Sequence, residues 1–155
     1  MAILEVGISL EMKRLVDIKY YSSSDNILDP TFSRTTRFLA GLESFITEAY
    51  GDEIRVISFS DFEIVCYPES IPLPNKETNN DQVLLTYAII EKGLESDFVN
   101  RHLQEIIAEF LKMYDLNEIK LKELKYFKDF KLHVDKILGD LRFNTEDRIK
   151  RIFRD

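Results

Sequence analysis

Apolar residues alternate with small or polar ones from the start of the chain. In AILEVGISL, residues 2–10, Ala2, Leu4, Val6, Ile8 and Leu10 fall on one side and Ile3, Glu5, Gly7 and Ser9 on the other, the two-residue period of a strand. RLVDIKYY, 14–21, mixes charge with apolar residues as a solvent-facing edge strand does, and SSSDN, 22–26, is a polar loop. Asp29 and Pro30 read as a helix start, a capping carboxylate followed by proline at the first helical position. Phe38, Leu39, Leu42, Phe45, Ile46 and Ala49 then recur at helical steps, and Gly51 marks the C-terminal end.

The strand period returns in EIRVISF, 53–59, and FEIVCY, 62–67, with Ser60 and Asp61 as the hairpin turn. In the first arm Arg55, Ile57 and Phe59 share one face and Ile54, Val56 and Ser58 the other, so both faces need covering. Pro68 to Asp81 holds three of the four prolines and the polar segment NKETNND, and reads as a loop. QVLLTYAIIEKG, 82–93, is apolar on both faces with Thr86 as its interior polar group, which predicts a central strand. A second helix, capped by Ser96 or Asp97, sets Phe98, Val99, Leu103, Ile106, Ile107, Phe110, Leu111 and Tyr114 at helical spacing. NEIKLKELK, 117–125, offers only Ile119, Leu121 and Leu124 for burial, too few to assign a state. Residues 126–141 resume the helical pattern through Phe127, Phe130, Val134, Ile137, Leu138 and Leu141, and 144–155 read as a short capped terminal helix. The expected order is β-β-α-β-β-β-α-α, a mixed α/β (α+β) domain over 1–141 with a helical tail over 142–155.

Composition narrows the classes. A chain of 155 residues with 45% hydrophobic and 32% charged residues suits one globular domain and excludes a disordered chain. The net charge of −7 argues against nucleic acid, which needs a dominant basic face. No apolar run is long enough to span a bilayer, and the N-terminus has Glu5 within its apolar stretch and no basic leader, so neither a transmembrane segment nor a secretory signal is expected. The single cysteine, Cys66, forms no intrachain disulfide and fits a reducing, cytoplasmic location.

Catalytic signals are scarce. The five glycines, at 7, 41, 51, 93 and 139, never cluster into a phosphate-binding loop. Cys66 with His102 or His133 has the residue types of a nucleophile pair, but a cysteine between Val65 and Tyr67 in a strand reads as a buried, inert thiol. Asp61 and Glu63 read as a solvated pair rather than a general acid and base. The run Ser33-Arg34-Thr35-Thr36-Arg37, in the first turns of its helix, suits an anion or a partner carboxylate. KLKELKYFKDFK, 120–131, reads as a solvated face with its aromatics inward, and its other use is contact with an acidic membrane surface or acidic partner. No catalytic residue, cofactor or metal is expected.

The segment DPTFSRTTRFLAGLESFITEAYGDEIRVISFSDFEIVCY, 29–67, resembles the longin-like domains of the longin and roadblock superfamily, and 125–138 is similar to their last helix. The resemblance implies a five-stranded antiparallel sheet in the order 2-1-5-4-3, one helix on one face and two on the other. It also implies a binding role in trafficking complexes or small-GTPase regulation, with a GTPase, another longin or roadblock domain, or a second copy as partner. In that order the strand at 53–59 has a free edge, so Glu53, Arg55, Ile57 and Phe59, with Arg34, Arg37 and Glu48 of the neighbouring helix, form the expected partner interface. Peripheral membrane contact is compatible with this role. The alternative is a profilin-like or PAS-like sensor holding a small molecule in a cavity faced by Thr86 and Tyr87.

Overall fold

The computed structural model describes residues 2–11, 13–20, 56–58, 62–74 and 81–143. Strands β1 (Ile3–Leu10), β2 (Lys13–Lys19), β3 (Val56–Ser58), β4 (Phe62–Pro74) and β5 (Asp81–Glu91) form one antiparallel sheet in the order β2-β1-β5-β4-β3. After β5 come α1 (Ser96–Met113), α2 (Leu116–Leu121), a 3-10 segment (Leu124–Phe130), α3 (Lys131–Leu138) and a 3-10 turn (Gly139–Arg142). The mixed class and the strand order are those expected. The expected helix over 29–50, the Ser60–Asp61 turn and the tail over 144–155 lie outside the described residues.

β5 is buried along its whole middle, residues 84–90, on both faces. On one face Leu84, Ala88 and Ile90 join Val6, Ile8 and Leu10 of β1 and Val65 of β4 beneath Leu103, Ile106 and Phe110 of α1. On the other, Leu85, Tyr87 and Ile89 pack with Phe62, Ile64 and Cys66 of β4. Val56 joins the helix-side cluster and Ile57 the opposite one, so this short strand is apolar on both sides as its sequence predicts. Gly7 stands beside Tyr87 in the β1–β5 register, and a Cβ there would lie 2.4 Å from Tyr87 Cζ and Oη. The tyrosine ring therefore occupies the space a side chain at position 7 would need.

Simple alternation fails at one point of β1. The β1–β5 register shifts between Ile3 and Glu5, and this bulge sends Ile3 to the helix-side core and Leu4 to the other face, the reverse of the alternating pattern. A second shift, opposite Ile8 and Ser9, directs both Leu15 and Val16 of β2 into the helix-side cluster. β2 is thus an edge strand with a buried face, where sequence mixing suggested solvent.

β4 also corrects the reading, since it runs through the expected loop to Pro74 with Pro68 opposite Leu85. Among the described residues β3 pairs with Glu63–Val65 of it, and farther along the Cys66 carbonyl accepts a hydrogen bond from Asn100 Nδ2 at 3.3 Å. Residues two apart in a regular strand point their amides the same way, so Pro68 shares that side of Cys66 and removes no bond to β5, while Pro72 and Pro74 fall where the β4–β5 register shifts between Ile71 and Pro74.

The helices begin differently from expectation too. Glu95, not Ser96 or Asp97, occupies the N-cap of α1 and makes no side-chain cap bond. The stretch without an assigned state becomes α2 because Asp115 and Glu118 form a reciprocal capping box. Phe110, Tyr114, Phe127 and Phe130 then close on one another with ring centroids 4.9–6.2 Å apart, fastening the 3-10 segment to α1. At the far end Asp135 accepts from Tyr20 Oη at 2.5 Å and Lys131 Nζ at 2.9 Å. Burial works against the Asp135 carboxylate, but these bonds, with Lys131 and Arg142 nearby, hold it below its ordinary range.

Two packing predictions follow from these contacts. Gly7→Ala should destabilise the chain by about 1–3 kcal/mol in urea unfolding, and Tyr87→Leu in the same chain should recover part of the loss because the clash is pairwise. Tyr20→Phe should lower stability by roughly 1–3 kcal/mol at neutral pH, the usual loss when a partly buried carboxylate loses a donor.

Candidate functional site

Of the expected interface residues, only Ile57 is described; Arg34, Arg37, Glu48, Glu53, Arg55 and Phe59 lie outside the described residues, as do Ser33 and Asp61. Ile57 pairs with Ile64 in β3 and is half-buried. Ser58 is exposed and donates through Oγ to Glu63 Oε2 at 2.8 Å, so Glu63 is engaged within the hairpin. β3 ends the sheet, and among the described residues no strand lies along its outer side.

The nucleophile combination is not assembled. Cys66 is fully buried on the sheet face away from the described helices, while His102 Nδ1 lies 2.9 Å from the Phe98 carbonyl and His133 Nδ1 lies 3.5 Å from Glu109 Oε1, both on helices. Thr86 and Tyr87 point to opposite faces of β5, Thr86 opposite Ile8 on the helix side and Tyr87 in the other cluster, so the two do not line one cavity. Among the described residues no group of three or more His, Cys, Asp or Glu side chains is placed to hold a metal.

Two polar arrangements escaped the periodicity. The first lies on the face away from the described helices, where the register sets Glu5 beside Lys19 and Gly7 beside Asp17. Arg14 donates to Asp17 Oδ2 at 2.9 Å, whereas Glu5 is buried and its Oε1 has no hydrogen-bond partner among the described residues. Burial, then the adjoining Asp17 carboxylate, raise Glu5 from 4.5 to about 7, with Lys19 and Arg14 pulling the other way. Such a carboxyl exchanges a proton near neutrality, yet it is buried beside the Arg14–Asp17 ion pair.

The second is a groove of about 540 Å³ between β2 and the 3-10 segment. Its apolar floor is Leu15, Val16, Ile18, Leu124 and Phe127, and Lys125, Lys128 and Lys131 border it. A 3-10 helix has three residues per turn, so residues three apart stack in rows. Leu124, Phe127 and Phe130 make one row, with the phenylalanines buried, and Lys125, Lys128 and Lys131 make the next, spaced by roughly 6 Å along the axis. Lys131 is shared with Asp135 and lies over the Tyr20 ring, while Lys125 and Lys128 are exposed and make no ion pair among the described residues. The three-residue repeat is visible in LKYFKDFK, but read at the α-helical period it disperses around the axis.

Neither a protein-family model nor a curated protein matches this sequence.

Glu5 yields a pH prediction with a definite sign. Its folded value is raised from 4.5 to about 7, so the folded chain holds the extra proton in that window and stability falls as pH rises through it. Wild type should lose up to about 3 kcal/mol relative to Glu5→Gln across that range, read as the difference between their urea midpoints at each end.

Proposed function

We propose that this chain is a non-catalytic protein–protein interaction module of longin-like type, a scaffold or subunit of a small-GTPase regulatory or vesicle-trafficking assembly. The observation that carries the reading is the sheet, whose order β2-β1-β5-β4-β3 ends in a strand of three residues with no strand beyond it among the described residues. An edge of this kind offers unpaired amides and carbonyls to a second chain, which extends the sheet. The other edge is less available, because Leu15, Val16 and Ile18 of β2 are buried against the helical layer.

The partner on this reading is a small GTPase, another longin or roadblock domain, or a second copy, meeting Ile57 in β3 together with Arg34, Arg37, Glu48, Glu53, Arg55 and Phe59. No helix among the described residues is long and apolar enough to cross a membrane, and the single cysteine suits a reducing, cytoplasmic setting.

Neighbouring strand residues point their amides to opposite sides, so either Ile57→Pro or Ser58→Pro removes an outward donor while sparing the ladder to β4. That variant should be a folded monomer by circular dichroism and light scattering where wild type is a dimer. A dimer mass retained by both folded variants would count against the β3 edge, and a wild-type mass of one chain, 18.2 kDa, would count against the homodimer.

A further inference from the structure

We propose that the groove between β2 and the 3-10 segment, with its lysine row, docks an anionic phospholipid at a bilayer surface. This site is separate from the β3 edge and stands or falls independently of it. The chain carries a net charge of −7, yet residues 116–132 hold five lysines against three carboxylates, and three of those lysines border one groove. A phosphate-bearing headgroup is the complement of such a row, each lysine near an anionic surface contributing on the order of 1 kcal/mol.

Apolar exposure coincides with the charge. Leu132 is 73% exposed and Leu121 68%, with Leu124 and Tyr126 also exposed, all within the stretch that carries the lysines. Leu132 directly follows Lys131, the last lysine of the row, and so extends the apolar surface from its end. Large apolar side chains interleaved with lysines are the composition of a surface that rests in the headgroup region, its apolar part shallowly inserted. Leu124 at the groove's rim, with Leu121 and Leu132 beside it, then meets the upper part of the acyl chains, the rest of the floor being buried. Two acidic residues are among those bordering the groove: Asp17, whose carboxylate is tied to Arg14, and Glu123, at the N-cap of the segment, ahead of the row.

An added peptide strand suits the groove less well. Four consecutive β2 residues border it, but Leu15 is fully buried and Val16 and Ile18 nearly so, which leaves little open backbone for a strand to pair with.

The test is co-sedimentation of the full chain with phosphatidylcholine vesicles prepared with and without phosphatidylserine. The chain should pellet with the phosphatidylserine vesicles alone and be released by added salt. Lys125→Gln with Lys128→Gln should lower the partition coefficient about 30-fold, the equivalent of roughly 1 kcal/mol per lysine, with an unchanged circular dichroism spectrum. Leu132→Ser, which leaves the charge alone, should weaken binding several-fold. Equal pelleting with both vesicle types, or a double lysine variant that binds like wild type, overturns the proposal. So does a wild-type chain that ignores vesicles but binds a soluble polyglutamate peptide through Lys125 and Lys128.

Discussion

The structure depends on a strand that touches solvent on neither face. β5 lies between β1 and β4, and its residues from Leu84 to Ile90 are buried, so both faces of the sheet must be covered before the centre is stable. The helical layer supplies one cover through Leu103, Ile106 and Phe110, and the aromatic group around Phe110 fastens the later helices to α1. The opposite face shows how tight that centre is, because the Tyr87 ring fits only where β1 carries Gly7. A polar group in this setting needs a partner or carries a penalty. Thr86 Oγ1 and Glu5 Oε1 are both buried and without one among the described residues, and burial raises the Glu5 carboxyl to about 7.

A sheet buried in the middle places its chemistry at the ends. β2 and β3 are the two edges, and they are treated differently. At β2, Leu15 and Val16 both turn toward the helices, and the 3-10 segment lies alongside, leaving a groove bordered by lysines. At β3, a three-residue strand ends the sheet. A module that binds one partner by extending its sheet and rests on an anionic surface by the opposite edge would use both ends without disturbing β5. On that reading the rigid centre fixes the spacing of two interfaces.

Much of the framework was legible in the chain. The strand periods of β1 and β5, the spacing of Val99, Leu103, Ile106 and Phe110, and the double apolar character of Val56 and Ile57 are local patterns that the structure preserves. The strand order was implied by a family resemblance and not by periodicity. What could not be read were the interruptions. Three prolines suggested a loop where β4 continues, because a proline's tolerance depends on which side of the strand is paired. The lysine row was hidden because LKYFKDF adopts three residues per turn, and helical periodicity assumes 3.6.

By itself the sequence determined the strands β1 and β5 and the apolar face of α1, that the β5 segment must be central, and that Cys66 sits in an apolar strand. Each of these follows from the spacing of side chains along a few residues, which is set by backbone geometry. Only the tertiary structure decided the registers and bulges that exchange Ile3 and Leu4, join Glu5 to Asp17 and Arg14, and bring β2 against Lys125, Lys128 and Lys131. Those choices rest on contacts between residues far apart in the chain, such as Tyr20 and Asp135, 115 residues apart, and packing energy at such separations leaves no periodic trace in the chain.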